Sequence, residues 1–301
     1  MVYIAAMTAS QTPSPIPQEG ANSAAEWFAQ GRRAEREGDL QAGLQAYIRA
    51  IAGEEDHAEW HYRLGCVQRK LGDLPGATAS FQQAVDLETT SGRYLTNLGV
   101  TLDRLGRRTE AVRTYQKAIL NNPDSAEAHH NLGAIYAEEG RTTEAIRAFE
   151  AAIAVLPDAE GYHNLGLVYY SEGMYDEALA CFESCLQFAA DFALGHYHAG
   201  LCLMKKGLYD KAIQRFRDAY RLNFRLVRVH YHVGTCLHKL GRYTDALPNL
   251  QRALEALPDD SKVHYQLALT YDSLRMPQEA RRHYRTARSV RDSLKQENGQ
   301  A

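Results

Sequence analysis

The chain has 301 residues, of which 45% are hydrophobic and 24% are charged, and its formal net charge is -3 at pH 7. Such a balanced charge provides no global field that would attract nucleic acid or acidic membranes. The five cysteines are odd in number and all fall in predicted helices, which argues against a secreted disulfide framework and favours reduced thiols in the cytoplasm. Two of them, Cys181 and Cys185, share a helix face, where small core side chains are the simplest interpretation.

The N-terminal segment is rich in Ser, Thr, Pro and Gln and has no hydrophobic periodicity, so residues 1–23 are predicted to be a disordered leader. No Lys or Arg precedes its first apolar run, which ends at Met7, and a signal peptide is therefore not expected. Either Met1 or Met7 is consistent with the true start. Further along the chain, no apolar stretch approaches the length of a membrane span.

After the leader, glycines recur at a fixed spacing of 34 residues, with one step of 33. A second glycine series runs seven residues behind the first, and alanines and aromatic residues follow the same period. The two glycine series are Gly31, Gly65, Gly99, Gly133, Gly166, Gly200 and Gly234, and Gly38, Gly72, Gly106, Gly140, Gly173, Gly207 and Gly241.

Each of the four recurring residue types has a physical role in a pair of helices. The first glycine lies within a helix and allows a second helix to approach closely, whereas the second glycine opens the turn between them, where a positive φ is needed. The alanine and the aromatic residue are four apart and share the face of the second helix that packs on the first. Such a helical hairpin cannot bury its faces alone, so neighbouring units must stack.

A period near 34 with these small and aromatic positions resembles the tetratricopeptide repeat (TPR) family. The resemblance covers nearly all of the chain beyond the leader and is strongest over residues 114–166. It implies an all-α fold, a TPR solenoid of eight helix-turn-helix repeats over residues 24–294 forming a right-handed superhelix, with residues 295–301 as a C-terminal tail. The last repeat departs most, because Arg275 replaces its turn glycine and its polar second helix can cap the solenoid.

The sequence contains none of three common catalytic and phosphate-binding motifs: no phosphate-binding glycine-rich loop, no GxSxG and no HExxH. We therefore expect no enzyme activity, no cofactor and no metal. In some sugar-transferring enzymes a catalytic domain follows similar repeats, and the seven residues after residue 294 are too few to form such a domain. Histidines recur at the fourth position of five repeats, and half-buried core histidines are the preferred interpretation. They are His61, His129, His196, His230 and His264.

The first helix of each repeat carries a polar stripe at positions 2, 6, 9 and 13, opposite its predicted core face. In the TPR family this stripe lines the concave groove that binds ligands. Position 6 holds Asn97, Asn131 and Asn164 in successive repeats, similar to the asparagine ladder of glycosyltransferase and motor-adaptor repeats. An amide can pair with both N–H and C=O of a peptide backbone. The alternative is a tolerated polar residue on a solvated face. If the asparagines form a ladder, replacing all three by Ala is expected to weaken partner binding and to leave the melting temperature nearly unchanged.

Charges along the same stripe form a basic, acidic, basic pattern, although ordinary solvated charge is the alternative. The carboxylate clamp of chaperone adaptors is a poor match, because no repeat has lysine at position 5. The acidic middle contains Glu127, Glu138 and Glu160. The candidate peptide-binding residues besides the asparagines are Arg63, Arg93 and Arg104 near one end, and Arg228 with His198 and His232 near the other, where the histidines would gain charge on mild acidification if solvated.

These patterns predict a non-catalytic cytoplasmic scaffold or adaptor that binds an extended peptide or protein partner in its concave groove. The alternative is a structural or assembly-factor subunit, of the pilus or photosynthetic-complex type, that contacts a folded partner through its convex face or an end. A nucleic-acid partner is not expected, since no continuous basic stripe with interleaved aromatics occurs. The oligomeric state stays open.

Overall fold

The computed structural model of the chain describes residues 23–298, so the predicted leader up to residue 22 and residues 299–301 lie outside the described part. The described residues contain sixteen helices and no strands. In chain order the helices are α1 (Ala24–Glu37), α2 (Leu40–Gly53), α3 (Ala58–Lys70), α4 (Leu74–Leu87), α5 (Gly92–Arg104), α6 (Arg108–Asn121), α7 (Ala126–Glu138), α8 (Thr142–Val155), α9 (Ala159–Ser171), α10 (Tyr175–Phe188), α11 (Ala193–Lys205), α12 (Tyr209–Leu222), α13 (Arg228–Lys239), α14 (Tyr243–Ala256), α15 (Ser261–Ser273) and α16 (Pro277–Asn298).

The turn that joins the two helices of a repeat is built on the second glycine series. All seven of these glycines have positive φ, between 71° and 85°. In this left-handed conformation the backbone N–H groups after the helix bond its last carbonyls and end it without steric strain. The predicted fold class, all-α with two helices per repeat, is confirmed.

The first glycine series packs against the recurring aromatic residue of the second helix. A Cβ atom placed on Gly65 would lie 2.8 Å from the Phe81 ring, and one on Gly200 would lie 2.8 Å from the Phe216 ring. Both phenylalanines are completely buried. The small residue is therefore required by the ring that covers it, as the spacing of the two series predicts.

The described residues form two compact units that divide between Thr114 and Tyr115. In the first unit, α1 to α5 pack consecutively, and in the second, α7 to α16 do the same. The core of the second unit is continuous over its last repeats and includes Phe216, Leu237 and Leu250. Among the helices of residues 23–298, none combines the length and the apolar character that crossing a membrane would require.

Arg275 takes the turn position of the last repeat, and it is the one non-glycine residue with positive φ, 59°, within residues 23–298. A residue with a Cβ atom in this conformation costs roughly 1–2 kcal/mol. We therefore expect Arg275→Gly to raise the free energy of unfolding by about 1 kcal/mol, since the greater freedom of glycine in the unfolded chain offsets part of the relief. Urea denaturation measures the change.

The matched control is Arg281→Gly, which makes the same substitution at an exposed helical residue of α16. It should lower the free energy of unfolding by about 1 kcal/mol, because glycine disfavours the helix interior. Loss of stability in Arg275→Gly, of the same size as in the control, would show that the turn does not strain Arg275.

Candidate functional site

A row of side-chain contacts links the first helices of neighbouring repeats. The residue at position 5 of one repeat meets the residue at position 6 of the next, and we call this series the first-helix row. Its members are Tyr62 Oη with Asn97 Nδ2 at 3.5 Å, His130 Nε2 with Asn164 Nδ2 at 3.2 Å, His163 Nε2 with His198 Nδ1 at 3.0 Å, and Tyr197 Oη with His232 Nε2 at 3.0 Å. Four of the predicted ligand-binding side chains thus have partners inside the protein.

The asparagines of position 6 differ in how open they are. Asn97 is only 8% exposed, and its Nδ2 also donates to the Arg93 carbonyl oxygen at 2.9 Å. The expectation of an exposed stripe is therefore wrong for Asn97, because the preceding repeat covers it. Asn164 is half-buried and donates to His130. Asn131 is half-buried, and its amide has no hydrogen-bond partner in the described part of the chain.

The burial of Asn97 changes the expected effect of its removal. We expect Asn97→Ala to lower the free energy of unfolding by about 1 kcal/mol, through loss of a buried hydrogen bond. Asn131→Ala is the control and should stay within about 0.5 kcal/mol of the parent protein. Thermal denaturation of both variants checks this, and equal melting temperatures for the two would restore the expectation of an exposed stripe.

His198 and His232 are poor candidates for added charge. Their rings stack on Phe182 and Phe216, with centroids 5.4 Å and 5.1 Å apart. Burial lowers the pKa of each to about 4, assisted by the neighbouring His163 for His198 and by nearby cations for His232. Both stay neutral on mild acidification, so the condition that they be solvated is not met and no gain of charge is expected.

Arg63 and Arg93 already have an acidic partner. Arg63 Nε lies 2.8 Å from Glu59 Oε1, and Arg93 pairs with the other oxygen of Glu59 while its guanidinium lies 4.4 Å from the centroid of the Tyr62 ring. Burial alone would raise the pKa of Glu59, but the hydrogen bond and charge of Arg63 and the charge of Arg93 outweigh it and lower the pKa. Of the three predicted arginines in this region, Arg93 and Arg104 are exposed and Arg63 is half-buried.

Near the C-terminal end, α13, α15 and α16 enclose a groove of about 440 Å³, which we call the end groove. Arg228, predicted as a ligand-binding residue, lies beside it, lining a neighbouring depression and pairing with Asp260 at 3.0 Å. Among the groove residues, Lys262 occupies position 2 of its repeat and so belongs to the polar stripe predicted from the sequence. Aromatic and basic side chains line the groove: Tyr231, Lys262, Tyr265, Tyr284, Arg288 and Arg291.

The recurring histidines of position 4 have a structural role. In four repeats their Nε2 atom lies 2.9–3.0 Å from the carbonyl oxygen six residues earlier, in the loop between repeats. A carbonyl only accepts, so Nε2 must carry the proton. The four are His61, His129, His196 and His264, and the predicted half-buried setting is found for all but His264, which is buried.

Models of the tetratricopeptide repeat match residues 28–91, 96–163, 159–192 and 225–293. No curated protein matches the sequence. Among solved structures, MamA is 28% identical with a TM-score of 0.50, and the match covers 52% of this chain and 92% of MamA.

Two further structures, each less than 25% identical, share the fold. The C-terminal part of a TPR protein from Cytophaga hutchinsonii is 14% identical with a TM-score of 0.67, covering 80% of this chain and 99% of that chain. YrrB, described as a TPR protein with an unusual peptide-binding site, is 20% identical with a TM-score of 0.55, covering 62% and 97%. With repeat models matching most of its length and paired helices throughout its described residues, this chain belongs to the tetratricopeptide repeat family.

Proposed function

We propose that the chain is a non-catalytic scaffold that binds an extended peptide, or an extended segment of a protein, along the face formed by its first helices. The end groove carries this proposal, because two first helices, α13 and α15, contribute tyrosine and lysine side chains to one concave site. Concave sites with a few placed polar groups are where ligands bind in most proteins. The fold shared with YrrB, a protein with a peptide-binding site, supports the same class of ligand.

The residues predicted from the sequence divide into two groups under this proposal. Asn131 offers an unpaired amide and Arg104 an exposed guanidinium, so each would contact the ligand directly. Asn97, Asn164, His198 and His232 belong to the first-helix row and would act by holding the rings of position 5 in place. Arg63 and Arg93 both pair with Glu59, so an acidic group of the ligand would compete with Glu59 for them.

A reducing compartment such as the cytoplasm suits the thiols of this protein. All five cysteines are free. Burial raises the pKa of Cys181 and of Cys185 to about 11, so both are protonated at neutral pH. Protonated buried thiols are unreactive core side chains, which supports the structural interpretation of this pair.

The proposal is tested by isolating partners of the tagged full chain and dividing each partner into overlapping 15-residue peptides. Titration calorimetry then compares the peptides with the intact partner. One peptide with most of the affinity of the intact partner supports extended binding. If only the folded partner binds, peptide recognition is excluded.

A second candidate function, contact with a folded partner, is favoured by apolar side chains at the ends of second helices. Leu156, Phe188 and Phe224 are 62%, 54% and 72% exposed. They lie at or just after the ends of α8, α10 and α12, in three successive repeats, and a contiguous exposed apolar patch is characteristic of protein interaction surfaces. Replacing all three by Ser should abolish binding if this edge is the contact, and should leave peptide binding at the first helices intact.

A further inference from the structure

The end groove combines aromatic walls with uncompensated positive charge. Its lining includes Lys262, Arg288 and Arg291, and no acidic residue lines it. Arg288 and Arg291 have one carboxylate nearby, that of Asp292, at 3.7 Å and 3.8 Å, and their side chains remain 79% and 61% exposed. The Lys262 side chain forms no ion pair with any described residue. Two other carboxylates nearby, those of Asp260 and Asp272, bond Arg228 and the Tyr284 hydroxyl instead of these three cations, so the groove attracts anions.

Tyrosines form the apolar part of the groove. The ring of Tyr265 is 52% exposed, and its centroid lies 5.8 Å from that of Tyr284 in an edge-to-face arrangement. The Tyr284 hydroxyl donates to Asp272 Oδ2 at 2.8 Å, which holds this second ring in position. An exposed tyrosine that packs against a fixed one offers a large contact area at a small cost in conformational entropy.

The first-helix row is also incomplete at this point. Position 6 of the last repeat is Gln266, which is 7% exposed, yet its Nε2 atom has no hydrogen-bond partner in the described structure. Lys262 lies four residues earlier and therefore on the same face of α15. An unpaired buried donor is unfavourable, and this one lies one helical turn from the groove residue Lys262.

We infer that the end groove binds an acidic and partly apolar segment of a partner protein. Glu or Asp side chains of the segment pair with Lys262, Arg288 and Arg291, and an apolar side chain lies against Tyr231 and Tyr265. This inference rests on the proposed function and adds to it the chemistry of the ligand and the location of its site.

A protein segment fits the groove better than a nucleic acid does. Nucleic-acid channels follow the phosphate backbone with a continuous line of cations, whereas here three cations surround a site of about 440 Å³. The formal net charge of the whole chain, -3, also repels a long polyanion. A short acidic segment experiences mainly the local positive charge, because salt screens charges beyond about 10 Å.

The test uses the full-length protein and a fluorescein-labelled 12-residue peptide in which Glu alternates with Phe and Gly. A second peptide has Gln in place of Glu. Fluorescence anisotropy should show binding of the Glu peptide that is about tenfold tighter than that of the Gln peptide, and Lys262→Glu/Arg288→Glu/Arg291→Glu should weaken it at least about tenfold. Tyr265→Ala should weaken binding of both peptides.

The control is Arg217→Glu/Arg221→Glu/Arg225→Glu, which changes the net charge equally at exposed residues outside the groove. This variant should change the affinity less than about twofold. Equal weakening in both triple variants would reduce the effect to net charge and overturn the inference. A 12-nucleotide oligo(dT) that displaces the peptide at equal concentration would assign the groove to nucleic acid instead.

Failure of the inference is distinguishable from failure of the proposed function. If the Glu peptide does not bind the groove but other peptides from an array of unrelated 15-residue sequences bind the protein, the chemistry assigned to the end groove is wrong and peptide binding stands. If no peptide binds, both are wrong.

Discussion

Lowering the pH from about 6.5 to about 4 is expected to destabilise the protein by several kcal/mol. Burial holds the pKa of His198 and of His232 at about 4 in the folded protein, whereas an unfolded histidine titrates near 6.5. The unfolded chain therefore binds more protons in this window. The stability contributed by the two neutral histidines is fully present above pH 6.5 and is lost as the pH falls towards 4. Each unit of pKa difference corresponds to about 1.4 kcal/mol.

Other histidines act in the same direction. Burial also lowers the pKa of His163, His230, His238 and His283. Urea denaturation at half-unit steps of pH measures the combined slope. The variant His198→Asn/His232→Asn should flatten it, and its fold should persist because Asn occupies the same position in three other repeats. His57→Asn, at an exposed site, is the control and should leave the slope in place. An unchanged slope in the double variant would mean that these histidines are solvated.

Features that depend on contacts within one repeat could be predicted from the sequence. Gly200 and Phe216 recur at a fixed distance because a close helix pair requires a small residue beneath a ring. The turn position is equally clear, since a positive φ strongly favours glycine. Arg275 replaces this glycine in the last repeat, and it too adopts a positive φ.

Features that depend on contacts between repeats could not be predicted in this way. Positions on one helix at 100° per residue place Asn97 away from the core, yet the first helix of the preceding repeat covers it. His198 and His232 are likewise covered by aromatic rings of the preceding repeat, Phe182 and Phe216. The pattern of hydrophobic residues on one helix predicts how that helix packs within its own repeat. It does not predict contacts with the neighbouring repeat.

The end groove could not be predicted from the sequence, because three helices contribute to it. Tyr231 and Tyr265 hold equivalent positions in successive repeats, and Arg288 comes from the last helix. The polarity of α16 suggested a cap for the solenoid. In the structure a cap can also present charge to a ligand, since Tyr284 and Arg288 of α16 line the end groove.

Phe216→Ala is expected to lower the free energy of unfolding by about 3–5 kcal/mol, the cost of removing a large buried ring. The ring is completely buried and fills the space above Gly200. It also supports the first-helix row, because the His232 ring stacks on it at 5.1 Å and the Tyr197 ring lies 5.9 Å away. Its loss leaves a cavity beneath the bond between the Tyr197 hydroxyl and His232.

Phe224→Ala is the matched control, since Phe224 belongs to the loop after the same second helix but is 72% exposed. Its replacement should change the free energy of unfolding by no more than about 0.5 kcal/mol. In Phe216→Ala the pKa of His232, followed by NMR, should rise from about 4 towards its ordinary value because water enters the cavity and solvates the charged ring. A large loss of stability with an unchanged pKa of His232 would support the packing role of Phe216 and contradict its support of the first-helix row. A small loss would contradict both roles.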